Sequence, residues 1–100
     1  MGKTIHWGQF EWDIEKSKRN LIEHGIDLKD AVEAFLDEER IIAQDEAHSQ
    51  DEDRHFCIGR IGSKIATVRF AYRPGVIRII GAGFWRKGAK LYAKEKAKRR

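Results

Sequence analysis

Three features of this 100-residue chain predict a single α+β domain over residues 1–100, with two N-terminal helices packed on an antiparallel sheet and a further helix at the C-terminus. Two runs of β-branched and aromatic residues flank Arg73-Pro74-Gly75-Val76, a strand-turn-strand pattern within residues 65–83. Two segments with apolar residues at helical spacing, each opened by an aspartate, precede it and are joined only by His24-Gly25-Ile26-Asp27. A basic segment with Lys90, Lys94 and Lys98 four residues apart follows it. A chain of this length buries one modest core, and 41% hydrophobic content with a single proline suits a folded globule.

Ile5, Trp7, Phe10 and Trp12 alternate in part, which predicts one short strand whose aromatic rings cover the core. Asp13 is a good N-cap for a helix running to about His24, where Gly25 ends it. Ile14, Ser17, Leu21 and Ile22 form its inward stripe, leaving Lys16, Lys18, Arg19 and Glu23 to water. Asp27 caps a second helix that carries Leu28, Ala31, Val32, Phe35 and Leu36. Arg40-Ile41-Ile42-Ala43 then reads as a strand, followed by an acidic loop from Gln44 to Asp53. Asp45, His48, Asp51 and Glu52 in that loop have no fixed ligand spacing, so no metal is expected.

The segment His55 to Ile58 pairs with Ile65 to Phe70 across Gly62-Ser63-Lys64, an arrangement expected to place Phe56 and Ile58 beside Val68 and Phe70. Cys57 is the only cysteine, so it reads as a packing residue in a reducing compartment. In the next hairpin, Pro74 suits the second position of a type II turn and Gly75 the third. If Arg73 faces Val76, then Val68, Phe70, Tyr72, Ile77 and Ile79 share an apolar face. Arg69, Arg73 and Arg78 lie on the other; a bulged loop is the alternative that would mix the two. In the last helix Leu91, Trp85 and Tyr92 turn inward, Gly88 weakens the first turns, and residues 96–100 are expected to fray.

The charges are segregated. Residues 1–59 hold 15 acids against 7 Lys or Arg, a net of −8, whereas residues 60–100 hold 13 Lys or Arg against Glu95 alone, a net of +12. A basic lobe of that strength, with three arginines inside the sheet, points to a polyanionic partner. No apolar run approaches the roughly 20 residues of a membrane span and no secretion signal is visible, so no membrane association and a cytoplasmic location are expected.

Several blocks, in order, carry a family resemblance: Phe10-Glu11-Trp12-Asp13 with Lys16, Asn20 and His24-Gly25; Asp45 with His48-Ser49; Glu52-Asp53-Arg54-His55-Phe56 leading to Ile58-Gly59; Ile77-Arg78-Ile79-Ile80; and Tyr92. Over most of residues 10–92 the chain resembles the BrnT family of bacterial toxins. The resemblance implies a fold like that of the RelE ribonuclease toxins and an activity that cleaves RNA and arrests translation. It also implies silencing by a cognate BrnA-like antitoxin of ribbon-helix-helix type, a heterotetramer of the two, and contact with operator DNA only through the antitoxin. The chain departs from the family after Ile80. Members commonly continue with Ser-Ala-Arg and a basic run ending in a Glu-Arg pair, where this chain reads Gly81-Ala82-Gly83-Phe84-Trp85-Arg86-Lys87-Gly88-Ala89-Lys90.

Cleavage of RNA without a cofactor needs a base, an acid and cations around the phosphate. Arg69, Arg73 and Arg78 are the candidate catalytic cations, because Arg offers phosphate a planar fork. His55 and Tyr92, with His48, are the candidates for proton transfer, and Arg86, Lys87 and Lys90 for RNA binding. The alternative is a catalytically weak module that holds RNA or antitoxin on the same surface. A small DNA-binding protein fits less well, since the second helix is acidic.

Overall fold

Both expected helix caps form. In the computed structural model, which describes residues 2–99, the Asp13 carboxylate accepts the Lys16 amide at 2.9 Å and opens α1 (Ile14–His24). Asp27 accepts the Asp30 amide at 2.8 Å and opens α2 (Leu28–Ala31). The second helix does not continue as expected but tightens into a 3₁₀ helix over Val32–Leu36. Three residues per turn in place of 3.6 rotate Leu36 off the buried stripe, and it is 73% exposed.

The N-terminal segment is a hairpin rather than one strand: β1 (Thr4–Trp7) and β2 (Phe10–Asp13) turn at Gly8-Gln9. β3 (Ile41–Gln44), β4 (Arg54–Ile61), β5 (Lys64–Arg73) and β6 (Val76–Gly83) follow, then α3 (Arg86–Lys98). The sheet order is β1-β2-β6-β5-β4-β3. The sheet is mixed where an antiparallel one was expected, because β2 lies parallel to β6 with Phe10 opposite Ile77 and Glu11 opposite Arg78.

The β5–β6 register is as expected from Arg73↔Val76 through Phe70↔Ile79. A bulge then sets Arg69 opposite Gly81 and Val68 opposite Ala82, with Ile80 as the extra residue. The β4–β5 register differs by one residue from expectation. A two-residue turn at Gly62-Ser63, where Gly62 takes φ 58°, joins Ile61 to Lys64. Cys57 and His55 therefore face Val68 and Phe70, while Phe56 and Ile58 lie opposite Arg69 and Thr67 on the other surface. The buried Cys57 thiol is pushed up to about 12 by desolvation, consistent with a packing role.

On one face of the sheet the helices enclose Phe70, Val68 and Ile79 with Leu28, Ala31 and Val32, and Trp12 is buried as expected. The half-buried Phe35 ring meets Phe70 edge-on and Phe10 at a tilt, each at 5.0 Å. Of the inward stripe expected of α1, Ser17 is buried as expected, but Leu21 and Ile22 are 49% and 85% exposed and Asn20 points in instead. The reason is backbone accounting. Beyond the end of β2 the β6 edge would lie open; there Asn20 accepts the Ala82 amide at 3.1 Å and donates to the Ala82 carbonyl at 2.9 Å and the Ile26 carbonyl at 2.7 Å. Ser17 accepts the Leu28 amide at 2.8 Å. Satisfying buried polar groups outranks burying two more aliphatic chains.

The opposite face is covered in part by α3. A Cβ on Gly88 would overlap the Thr67 hydroxyl, so this glycine lets the helix seat against β5. Helix α3 runs to Lys98, so Lys96–Lys98, where fraying is expected, lie within its bounds, and Arg100 lies outside the described residues. Tyr92 is buried as expected, whereas Trp85 and Leu91 stay partly exposed. No helix among the described residues is long and apolar enough to cross a membrane.

Tyr92 anchors α3 to the segment after the 3₁₀ helix by donating to Asp37 Oδ2 at 2.6 Å. The Glu39 and Arg60 amides donate to the same carboxylate, each at 2.9 Å. Burial pushes the Asp37 carboxyl up, but these hydrogen bonds outweigh it and hold the group below its ordinary value of 3.8. A lowered folded value means that the stabilisation is complete above pH 3.8 and is lost as pH falls further, through the folded value. Tyr92→Phe is accordingly expected to cost about 1.5–3 kcal/mol at neutral pH, with the gap to wild type narrowing below the carboxylate range. Urea midpoints of the two proteins check this; a gap that is absent, or constant through acid pH, refutes it.

Candidate nucleic-acid interface

Alternation along β5 and β6 brings Arg69, Arg73 and Arg78 to the surface away from Phe70, with Arg54 on β4 opposite Ala71. Their surroundings differ. Arg78, whose side chain is 19% exposed, donates from Nη1 to Glu11 Oε2 at 3.2 Å and to Thr4 Oγ1 at 3.3 Å. Arg73 donates to both Glu52 oxygens, from Nη2 at 3.1 Å and from Nε at 3.3 Å, and lies 3.7 Å from Glu11. The Arg73 hydrogen bond holds the Glu52 carboxyl below its ordinary value. Two of the three sheet arginines are thus matched by carboxylates of this chain, pinning the N-terminal hairpin and the Gln44–Asp53 loop to the sheet.

Arg69 is different. Its Nε is buried without a hydrogen-bond partner among the described residues, and its guanidinium lies over Gly81, close to where a Cβ would sit. It opens into a groove of about 200 Å³ between α1 and β6. Lys16, Arg19 and His24 of α1 line this groove with Glu23. Three cationic side chains and an imidazole against one carboxylate make it a place for an anion. From the sequence, Lys16 and Arg19 read as plain solvent-facing residues. Their signal was the spacing: Lys16, Arg19, Asn20 and Glu23 recur at i, i+3, i+4 and i+7, one helix face, and buried Asn20 turns that face toward the sheet edge.

The remaining candidates lie elsewhere. His55 is on the core face, stacked 5.6 Å from Phe70 and edge-on to Tyr72 at 5.1 Å, with Nδ1 buried and without a hydrogen-bond partner among the described residues. The sheet separates it from the arginines. Tyr92 is held by Asp37 near the Arg60 end of β4, and burial together with that hydrogen bond raises its hydroxyl above the ordinary value. Arg86, Lys87 and Lys90 are exposed on α3. Lys87 borders an apolar groove of about 520 Å³ formed by Phe56, Ile58, Trp85 and Leu91 among others. The Trp85 indole lies over Gly83, in the space a side chain at 83 would take, and meets the His24 ring edge-on at 5.4 Å. No cluster of three His, Cys, Asp or Glu side chains able to hold a metal occurs among the described residues.

Residues 12–88 match the family model of the BrnT ribonuclease toxins of type II toxin–antitoxin systems. No curated protein matches the chain.

Proposed function

Since the chain belongs to the BrnT family of type II toxin–antitoxin ribonuclease toxins, we infer that it cleaves RNA in the cytoplasm and so arrests translation, on a fold of RelE type. The observation that carries this reading is Arg69, a sheet guanidinium that lines a basic groove and has no carboxylate partner among the described residues. A phosphodiester oxygen in the groove would accept from the Arg69 guanidinium that lines it and gain a charge-assisted hydrogen bond, while Lys16 and Arg19 neutralise neighbouring phosphates. Arg73 and Arg78, paired with Glu52 and Glu11, add little net potential but can exchange those carboxylates for phosphate, and Arg86, Lys87 and Lys90 extend the basic surface along α3. The test is a labelled RNA incubated with the protein in chelator. Cleavage, with binding that weakens steeply as salt rises, is the expected result. Salt-sensitive binding without cleavage would instead select the RNA- or antitoxin-binding module, a reading favoured by the carboxylates already paired with Arg73 and Arg78.

The family implies an antitoxin partner. In this reading it is a BrnA-like ribbon-helix-helix protein that forms a heterotetramer with the toxin and alone contacts operator DNA. Its toxin-binding segment is acidic or amphipathic, matching the basic sheet surface and the apolar groove rimmed by Lys87 beside α3. Co-expression with the neighbouring reading frame should yield a complex that survives chromatography at low salt. Separate elution of the two proteins under those conditions overturns the assignment of the partner.

A further inference from the structure

The geometry points to His48 as the proton acceptor of the RNA-cleaving step, oriented by Asp45, in a pocket on the Gln44–Asp53 loop; the inference rests on the RNA-cleaving reading above. Asp45 is 3% exposed although it sits in a polar surface loop. Its carboxylate accepts from His48 Nδ1, with its two oxygens at 2.9 and 3.2 Å. The aspartate is itself fixed on β4. Its amide donates to the Arg54 carbonyl at 2.7 Å, Ser49 Oγ donates to the Asp45 carbonyl at 2.6 Å, and the Arg54 amide donates to Ser49 Oγ at 2.9 Å.

A solvated loop histidine has no need of a buried carboxylate, and burying a carboxylate is costly unless it is paired. Here the buried member is the aspartate, while the His48 side chain is 52% exposed. The pairing places the ring proton on Nδ1 and leaves the Nε2 lone pair free, the tautomer a general base requires. The ring lines a pocket of about 310 Å³ that Glu52 and Arg54 also line. Glu52 is turned onto Arg73, so Arg54 is the cation of this pocket not held by it. Arg54 lies opposite Ala71 on the surface that carries Arg69 and Arg73, and Glu52 ties the pocket to Arg73, so the pocket borders the arginine-bearing face at Arg73. The charged groups facing His48 are therefore Asp45, Asp51, Glu52 and Arg54, with Arg73 behind Glu52.

In the step assigned to it, His48 Nε2 takes the proton of a ribose 2′-hydroxyl. The 2′-oxygen bonds to the adjacent phosphorus, and the bond from phosphorus to the 5′-oxygen breaks. Water protonates the departing 5′-oxygen, and the hydroxide left behind removes the proton from His48, returning it to its starting form. The products are a 2′,3′-cyclic phosphate and a 5′-hydroxyl. His48 is the catalytic residue and Asp45 a positioning residue.

Labelled RNA in chelator is given to wild type, His48→Ala, His48→Gln and Asp45→Asn, each checked by circular dichroism. Loss of a general base predicts a fall in cleavage of about 10²- to 10⁴-fold for His48→Ala, with salt-sensitive RNA binding kept. Added imidazole should restore part of that activity, and the acid-side limb of the pH–rate profile should vanish with the ring. Asp45→Asn should lose less and keep the limb, displaced. If His48→Ala does not fold, His48→Gln, which can still donate to Asp45, carries the comparison of rate and pH limb. Cleavage by a folded His48 variant equal to wild type, or an unchanged acid limb, overturns the assignment of His48 and leaves the ribonuclease reading standing. A wild type that binds RNA but never cleaves it overturns both.

Discussion

Phe70→Ala should lower the folding free energy by about 3–5 kcal/mol, the range for truncating a fully buried phenylalanine. Phe70 is wholly buried on β5, a central strand, and three aromatic neighbours surround it: Phe35 at 5.0 Å, Tyr72 at 5.1 Å and His55 at 5.6 Å. Those rings come from the 3₁₀ helix, β5 and β4, so no single backbone shift can close the void. Part of the loss is the edge-to-face geometry itself, at about 0.5–1.5 kcal/mol per aromatic pair. Phe70→Leu should cost less, since a branched aliphatic chain refills part of the space. Denaturant unfolding measures both. A lower midpoint with an unchanged slope is expected, and an unchanged midpoint for the alanine variant would sink the assignment of Phe70 as the keystone of the core.

Arg69→Ala should reduce RNA cleavage by about 10²- to 10³-fold, the effect of deleting one preorganised donor to a developing charge, while leaving the unfolding midpoint nearly unchanged. The asymmetry arises because Arg69 has no carboxylate partner among the described residues, so its removal strands no charge. Lysine at 69 should rescue only in part, because a point charge cannot reproduce the planar fork. Arg78→Ala is the informative contrast. As an exposed strand residue it would be a clean probe of catalysis, but its guanidinium holds Glu11 and Thr4, so its loss should lower stability as well as activity. Cleavage and melting are measured on the same three variants. Equal cleavage by Arg69→Ala and wild type would remove Arg69 from the site.

What was legible in the sequence was local. Asp13 and Asp27 announce helix starts because a cap is a contact across three residues, and Pro74-Gly75 announces its turn because φ is dictated by residue type. The mixed sheet was not legible, since nothing within β2 says that its partner will be β6, some 67 residues on. The one-residue offset of Phe56 and Ile58 hung on whether the Gly62 turn spans two residues or three, a difference of one torsion pattern. Alternation along β5 and β6 puts Arg73 and Arg78 on one face, but the carboxylates that neutralise them come from β2 and from the loop before β4, contacts no periodicity records. The inward Asn20 reverses the usual rule because the β6 edge it satisfies exists only in the assembled sheet.

Gly83 and Trp85 constrain one another. The indole fills the volume that any side chain at 83 would need. A larger residue at 83 alone meets the ring, whereas a smaller one at 85 alone opens a void over the glycine. The two positions are therefore coupled, and a change at 83 is expected to be tolerated better when Trp85 is made small with it than when it is made alone.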